Sequence, residues 1–82
     1  MYYVYVLRSL KNNRLYTGST LDLERRIREH NSGVSKYTKL TRPYVLVHRE
    51  TFNTKSEAYR RELFLKTGKG REYLNSVLDV RE

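Results

Sequence analysis

The chain has 82 residues, with 17 Lys and Arg against 9 Asp and Glu, a formal net charge of +8 and no cysteine. That length allows one domain with a modest core, and the absent thiols exclude a disulfide framework and a thiolate metal site. No apolar run approaches the roughly 18 residues of a membrane span, and Tyr2, Tyr3 and Val4 do not begin a signal peptide, so a cytoplasmic location without a membrane partner is expected.

Tyr2 to Leu7 reads as a strand with apolar residues on both faces, which is the pattern of a central strand. Lys11-Asn12-Asn13-Arg14 is a polar turn, so Leu15 to Ser19 is expected to return as an antiparallel hairpin partner. Gly18 lies near the end of that strand, where the backbone comes close to something. From Asp22 to Asn31 the period becomes helical, with Leu23 and Ile27 on one face and Gly33 as the stop. Gly33 to Arg42 is a loop carrying Lys36, Lys39 and Arg42. Pro43 opens a third strand, Tyr44 to Arg49. Thr54-Lys55-Ser56-Glu57 is a capping-box signature for a second helix that runs to Lys66 and is ended by Gly68. A last helix, Arg71 to Asp79, carries Tyr73, Leu74, Val77 and Leu78 on one side. The order β-β-α-β-α-α implies an α+β fold: a three-stranded antiparallel sheet of order 2-1-3, flanked by three helices.

An excess of eight positive charges on 9.9 kDa favours a polyanionic partner. The plain alternative is a solvated basic surface. Eight tyrosines without tryptophan tilt the balance, since tyrosine stacks on bases and hydrogen-bonds phosphates.

Glu62 is the most telling single residue. At 100° per residue, Ala58, Tyr59, Leu63 and Leu65 form one stripe of the second helix, with Glu62 near its middle and Glu57, Arg60 and Arg61 off it. A carboxylate at a core-facing position is costly unless paired or bound to a metal. It is either half of an internal salt bridge to an arginine or a ligand for a hard divalent cation such as Mg²⁺. Arg26 and His30 are an i, i+4 pair flanking the Leu23/Ile27 stripe, while Arg25 and Arg28 point further out. An arginine at such an edge can offer its donor fork to a phosphate. Other chemistries find little support. Lys66-Thr67-Gly68-Lys69-Gly70 lacks the Walker spacing, and two histidines, His30 and His48, are too few for a zinc site.

With these residues in place, the chain resembles the GIY-YIG nuclease domain. Tyr3-Val4-Tyr5 stands for the first motif and Tyr16-Thr17-Gly18 for the second. Gly18-Ser19-Thr20-Leu21-Asp22-Leu23-Glu24-Arg25-Arg26 resembles the stretch that ends in the family's catalytic arginine, and the likeness continues through His30 and Asn31. Ser56-Glu57-Ala58-Tyr59-Arg60-Arg61-Glu62 is similar to the segment with the metal-binding glutamate. A terminal asparagine that helps close the site in some members corresponds to Asn75. The chain is similar above all to the small stand-alone bacterial members, and the resemblance implies a single GIY-YIG domain over residues 1–82.

The resemblance implies a Mg²⁺- or Mn²⁺-dependent endonuclease. It would hydrolyse phosphodiesters in DNA with low sequence specificity, with branched, damaged or single-stranded forms among the candidate substrates. Glu62 would hold the metal, Arg26 would stabilise the phosphorane-like charge, Tyr16 or Tyr5 would orient and deprotonate water, and His30 would relay protons or touch phosphate. Gly18 would make room for substrate. Arg25, Arg28, Lys36, Lys39 and Arg42 would contact the nucleic acid, and an accessory protein would supply targeting. The alternative is a non-catalytic nucleic-acid-binding module that retains the nuclease fold.

Overall fold

The structure, a computed structural model, describes residues 1–78. Its elements run β1 (Tyr2–Ser9), β2 (Leu15–Thr20), α1 (Leu23–Ser32), β3 (Tyr44–Phe52), α2 (Lys55–Leu65) and α3 (Gly68–Leu78). All three strands are antiparallel, in the order β2-β1-β3, as the sequence pattern implies. The expected end of the last helix, Asp79, lies outside the described residues. Among those residues, no helix is long and apolar enough to cross a membrane.

Alternation along β1 builds two cores, one on each face of the sheet. Val4 and Val6 pack with Ala58 and Leu65 of α2 and Leu74 of α3. Tyr5 and Leu7 point the other way and pack with Leu23 of α1 and Tyr44. Val4, Tyr5, Val6 and Leu7 are each at most 1% exposed, so β1 is sealed on both sides. Burial of four such side chains is worth roughly 1.5–3 kcal/mol each before entropy is charged against it. A register irregularity between Val6 and Leu7 separates the two halves of the β1–β3 ladder.

Local chemistry fixes the helix starts. Asp22 caps α1 by accepting from the Arg25 N–H, and Gly33, in the left-handed region at φ 87°, closes it. Thr54 and Glu57 form the reciprocal capping box of α2. Asn31 holds the start of β3 against α1: its Oδ1 accepts from the Tyr44 N–H at 2.6 Å and its Nδ2 donates to the Tyr44 carbonyl at 3.1 Å.

Three expectations need correction. β3 continues past Arg49 to Phe52, because its far end still pairs with Tyr2 and Tyr3 of β1. Gly68 does not end α2 but opens α3, which therefore begins before Arg71: α2 stops at Leu65, and the Thr67 hydroxyl accepts from the Gly70 N–H at 3.1 Å, capping the next helix. The core stripe of α2 is also narrower than a helical wheel suggests. Tyr59 and Leu63 are 55% and 46% exposed. Arg61, expected outside the stripe, instead turns inward to Glu50 through two bonds of 2.7 and 3.1 Å. The Arg61 guanidinium also lies 4.9 Å from the Tyr73 ring centroid and 5.1 Å from that of Phe64. This packing gives the ion pair its partners and leaves Tyr73 only partly covered.

The tight turn between α2 and α3 depends on the absence of a side chain at Gly70, where a Cβ would collide with the Phe64 carbonyl and the Leu65 backbone, whereas a Cβ at Gly68 meets nothing within 4 Å. Gly70→Ala is expected to cost at least about 1–3 kcal/mol in urea unfolding, as overpacking against rigid backbone does. Gly68→Ala is expected to leave stability within about 1 kcal/mol of the parent or raise it. Equal effects of the two substitutions would contradict this packing.

Candidate active site at the edge of strand two

On the α1 face, four of the expected residues come together. The Tyr5 and Tyr16 rings lie 6.4 Å apart between centroids, and the His30 ring sits 5.9 Å from Tyr5 and 4.8 Å from Tyr16. The Tyr5 hydroxyl is 3.1 Å from His30 Nε2, and His30 Nδ1 is 2.7 Å from the Thr38 hydroxyl. His30 and Thr38 have no exposed surface. The histidine is therefore a link between β1, α1 and the 33–42 loop, and any influence it has on a substrate passes through Tyr5. Burial, with Arg26 adding to it, holds the His30 pKa below its ordinary value, so the ring is neutral.

Tyr5 reaches this position because residue 18 is a glycine. Tyr5 and Gly18 are paired across the β1–β2 ladder, and a Cβ on Gly18 would lie 2.5 Å from the Tyr5 hydroxyl. The space at Gly18 is filled from within the protein by the Tyr5 ring. Burial pushes the Tyr5 pKa up to about 12; neighbouring Tyr16 adds to the rise, Arg26 opposes it, and Glu62 contributes a further rise. Tyr5 is thus a protonated hydroxyl at neutral pH. Tyr16 is half-buried and lines an open hollow with Thr17, Lys66 and Arg71.

Arg26 lies at the rim of this cluster, its side chain 31% exposed. One of its terminal nitrogens donates to Glu29 Oε1 at 2.7 Å, and this bond, more than the nearby tyrosines, raises its pKa. The remaining guanidinium donors are left to other acceptors. Arg25 lies 3.7 Å from the other Glu29 oxygen. The Arg26–Glu29 spacing of three is one that a helical reading of the sequence exposes.

Glu62 belongs to the opposite face. Its Oε1 accepts from the Ser19 hydroxyl at 2.7 Å and its Oε2 from Lys66 Nζ at 2.8 Å. Ser19 points toward α2 while Gly18, next to it, underlies Tyr5. The carboxylate and the tyrosine–arginine cluster therefore sit on either side of β2, which is an edge strand, and the Glu62 charge is felt at the Tyr5 hydroxyl. The expected internal salt bridge to an arginine is not what holds Glu62. Its cation is Lys66, one helical turn on and 48% exposed, while Glu62 itself is 14% exposed. Ser19 and Thr38, partners to two candidate residues, carry no signal in the sequence beyond being small hydroxyls.

The remaining expected residues are spread more widely. Arg25, Arg28, Lys36, Lys39 and Arg42 are exposed. Arg42 folds back so that its guanidinium lies over Gly33. Tyr37, between the two lysines, is 82% exposed. Asn75 lies away from the tyrosine cluster, in a cleft with Arg8, Asn13, Arg14 and Arg71. Among the described residues, no three His, Cys, Asp or Glu side chains gather into a metal-binding group.

Comparison with known proteins gives the same architecture a family context. The GIY-YIG catalytic domain profile matches residues 1–75. A UPF0213 protein of Staphylococcus haemolyticus is 48% identical over 77 residues, covering 93% of each chain. A UPF0213 protein of Haloquadratum walsbyi is 48% identical over 67 residues, which is 80% of this chain and 74% of that protein. The solution NMR structure of a UPF0213 protein from Bacillus halodurans superposes with a TM-score of 0.56 at 41% identity, covering 94% of this chain and 85% of its own.

The buried histidine has a thermodynamic consequence. In the unfolded chain His30 takes up its proton near pH 6.5, whereas in the fold it does so only at lower pH. The unfolded state therefore binds more protons in that window, so stability is full above about pH 6.5 and falls as the pH drops toward the depressed value. Melting temperatures at pH 7.5 and 5.5 are expected to fall with acidity, and His30→Gln is expected to flatten the fall. Parallel pH profiles for parent and variant would contradict a buried neutral imidazole.

Proposed function

The chain belongs to the GIY-YIG family of nuclease catalytic domains, and on that premise we propose that it is a cytoplasmic, divalent-metal-dependent endonuclease that hydrolyses phosphodiesters in DNA with low sequence specificity. The observation that supports this reading is that Arg26, Tyr5 and Tyr16 lie on one face of the edge strand β2 while a largely buried carboxylate, Glu62, lies on the other, near enough for its charge to raise the Tyr5 pKa. Binding alone does not require a carboxylate beside a phosphate.

The donor set suits a particular kind of cation. One carboxylate and one serine hydroxyl are too few for a resident ion held by protein alone, but they suit Mg²⁺ or Mn²⁺, which keeps waters and takes the rest of its shell from substrate phosphate. Such an ion would supply charge neutralisation at the scissile phosphate and its leaving oxygen. Glu62 would hold it, exchanging Lys66 for the metal, and Lys66 would be freed toward the substrate. Arg26, kept at the rim by Glu29, presents its unused N–H groups to the equatorial phosphate oxygens as negative charge develops there. Tyr16, less buried than Tyr5, would orient the attacking water and, as the phenolate that a bound cation and Arg26 would favour, would accept its proton. Tyr5 stays protonated and donates a hydrogen bond, and the Tyr5–His30–Thr38 chain holds it in place. Phosphates of the flanking strand contact Arg25, Arg28, Lys36, Lys39 and Arg42. These contacts give affinity without sequence information, so an accessory protein would direct the enzyme to its target.

A second reading, a nucleic-acid-binding module that retains the fold, draws on one fact: Glu62 is already satisfied by Ser19 and Lys66 without a metal. The two readings separate in one assay: labelled duplex, single-stranded and branched DNA incubated with Mg²⁺, Mn²⁺ or EDTA. Cleavage is expected only with metal. Glu62→Gln and Arg26→Ala are each expected to slow it by at least about 100-fold, the scale for losing a group that acts on transition-state charge, with DNA affinity changed far less. Glu62→Gln should unfold within about 1 kcal/mol of the parent, since its partner is a half-exposed i, i+4 lysine. Metal-independent cleavage, or full activity in Glu62→Gln, would overturn the assignment.

A further inference from the structure

Two hollows meet beside β2. The first is lined by Tyr16, Thr17, Lys66 and Arg71 over a floor of Leu65 and Leu74. The second is lined by Arg8, Asn13, Arg14, Arg71 and Asn75. Leu15 and Arg71 belong to both, so the two form one trough on the α2–α3 side of β2 that starts at Tyr16 and Lys66 and ends at the β1–β2 turn. Among the described residues, no carboxylate lines either part.

The arginines of this trough differ from those that hold the fold. Arg26 has Glu29 and Arg61 has Glu50. Arg8, Arg14 and Arg71 have no carboxylate partner among the described residues. Arg8 donates to the Asn13 side-chain oxygen at 3.2 Å, which steadies the guanidinium without neutralising it. Three guanidinium groups in one concave surface, with no carboxylate partner among the described residues, repel one another, and a bound polyanion relieves that repulsion.

The dimensions define the ligand. From Gly18 back to Leu15 the chain is extended strand, and Arg14 directly precedes it, a reach of about 13 Å at about 3.3 Å per residue. A surface of that length holds a short run of consecutive phosphates of one strand. We infer that the trough is the track for the sugar–phosphate backbone of one nucleic-acid strand on one side of the scissile bond, with Lys66 and Arg71 nearest the site and Arg14 and Arg8 at its far end. This deepens the endonuclease reading and rests on it. It gives the substrate a direction across the domain: one flank lies in the arginine trough, while the opposite flank meets the exposed residues of α1 and the 33–42 loop.

The test uses the full chain and a fluorescein-labelled 20-base-pair DNA duplex, with anisotropy read across a salt series. Each phosphate that a variant no longer neutralises should make the log–log salt slope less negative by about 0.9. The double variant Arg14→Gln/Arg71→Gln removes two exposed side chains and is expected to take about 1.8 from the slope, and adding Arg8→Gln about 2.7 in all. A charge-matched control, Arg49→Gln/Lys55→Gln/Arg60→Gln, is expected to keep the parental slope. Circular dichroism melts confirm that the variants fold, and the double variant carries the test if the triple does not. Parental slopes in both trough variants, or an equal change in the control, would each overturn the trough. Parental protein that binds with the expected slopes but does not cleave would sink the endonuclease reading and leave the trough as a binding site. Cleaving protein with unchanged slopes would sink the trough alone, and absence of any binding would sink both.

Discussion

The hydrogen-bonded chain from Tyr5 through His30 to Thr38 is the interaction on which the rest of this domain turns. A phenol in the middle of a strand sealed on both faces would be a costly orphan without a partner, at roughly 1–3 kcal/mol for each unsatisfied polar group. Here the partner is an imidazole of α1, and the partner of that imidazole is a loop hydroxyl eight residues further on. One polar relay thus fixes the central strand, the first helix and the loop after it. Gly18 completes the arrangement by leaving the Tyr5 ring room to extend under β2 toward the edge of the sheet. The same geometry that satisfies a buried hydroxyl therefore sets the Tyr5 ring beside Tyr16 of the edge strand.

Charge is sorted by role over the surface. Glu29 takes Arg26 and Arg25, Glu50 takes Arg61 and His48, and Glu62 takes Lys66. The Glu50 group is structural: Arg61 and His48 hold its carboxyl below the usual carboxylate range against the opposing effect of burial, and the pair closes α2 over β3. The Glu62 pair is of another kind. Its lysine is half-exposed and can leave, and its carboxylate faces the strand edge behind the tyrosines. A pair of that sort costs little to open, which is what an exchange of lysine for a cation requires.

Much of this was legible in the sequence. The two-sided apolar run of β1, the hairpin turn, the capping box at Thr54 and the helical spacing around Leu23 and Ile27 led to the strand order and the α+β fold. The spacing of Tyr5, Tyr16 and Arg26 placed three groups on neighbouring elements because strand pairing and helix periodicity are local rules. What escaped was decided by tertiary contact. A wheel drawn for α2 cannot show that Tyr59 and Leu63 stay exposed, or that Arg61 has Glu50 waiting across the interface. Gly68 read as a helix stop because glycine usually ends helices, yet it opens α3, and Gly70 serves close backbone packing inside that helix. The opposite-face position of Glu62 was equally hidden, since it depends on which side of β2 the second helix docks.

The central claim is that chemistry from the two faces of the sheet meets around the edge of β2. Paramagnetic broadening by Mn²⁺ tests it most directly, using ¹⁵N-labelled protein bound to a short duplex whose phosphodiesters are replaced by slowly cleaved phosphorothioates. The account predicts that substoichiometric Mn²⁺ first broadens the amides around Gly18, Ser19 and Glu62, together with Tyr16, and that Glu62→Gln abolishes the effect. Broadening centred elsewhere on the domain, or unchanged in Glu62→Gln, would contradict it.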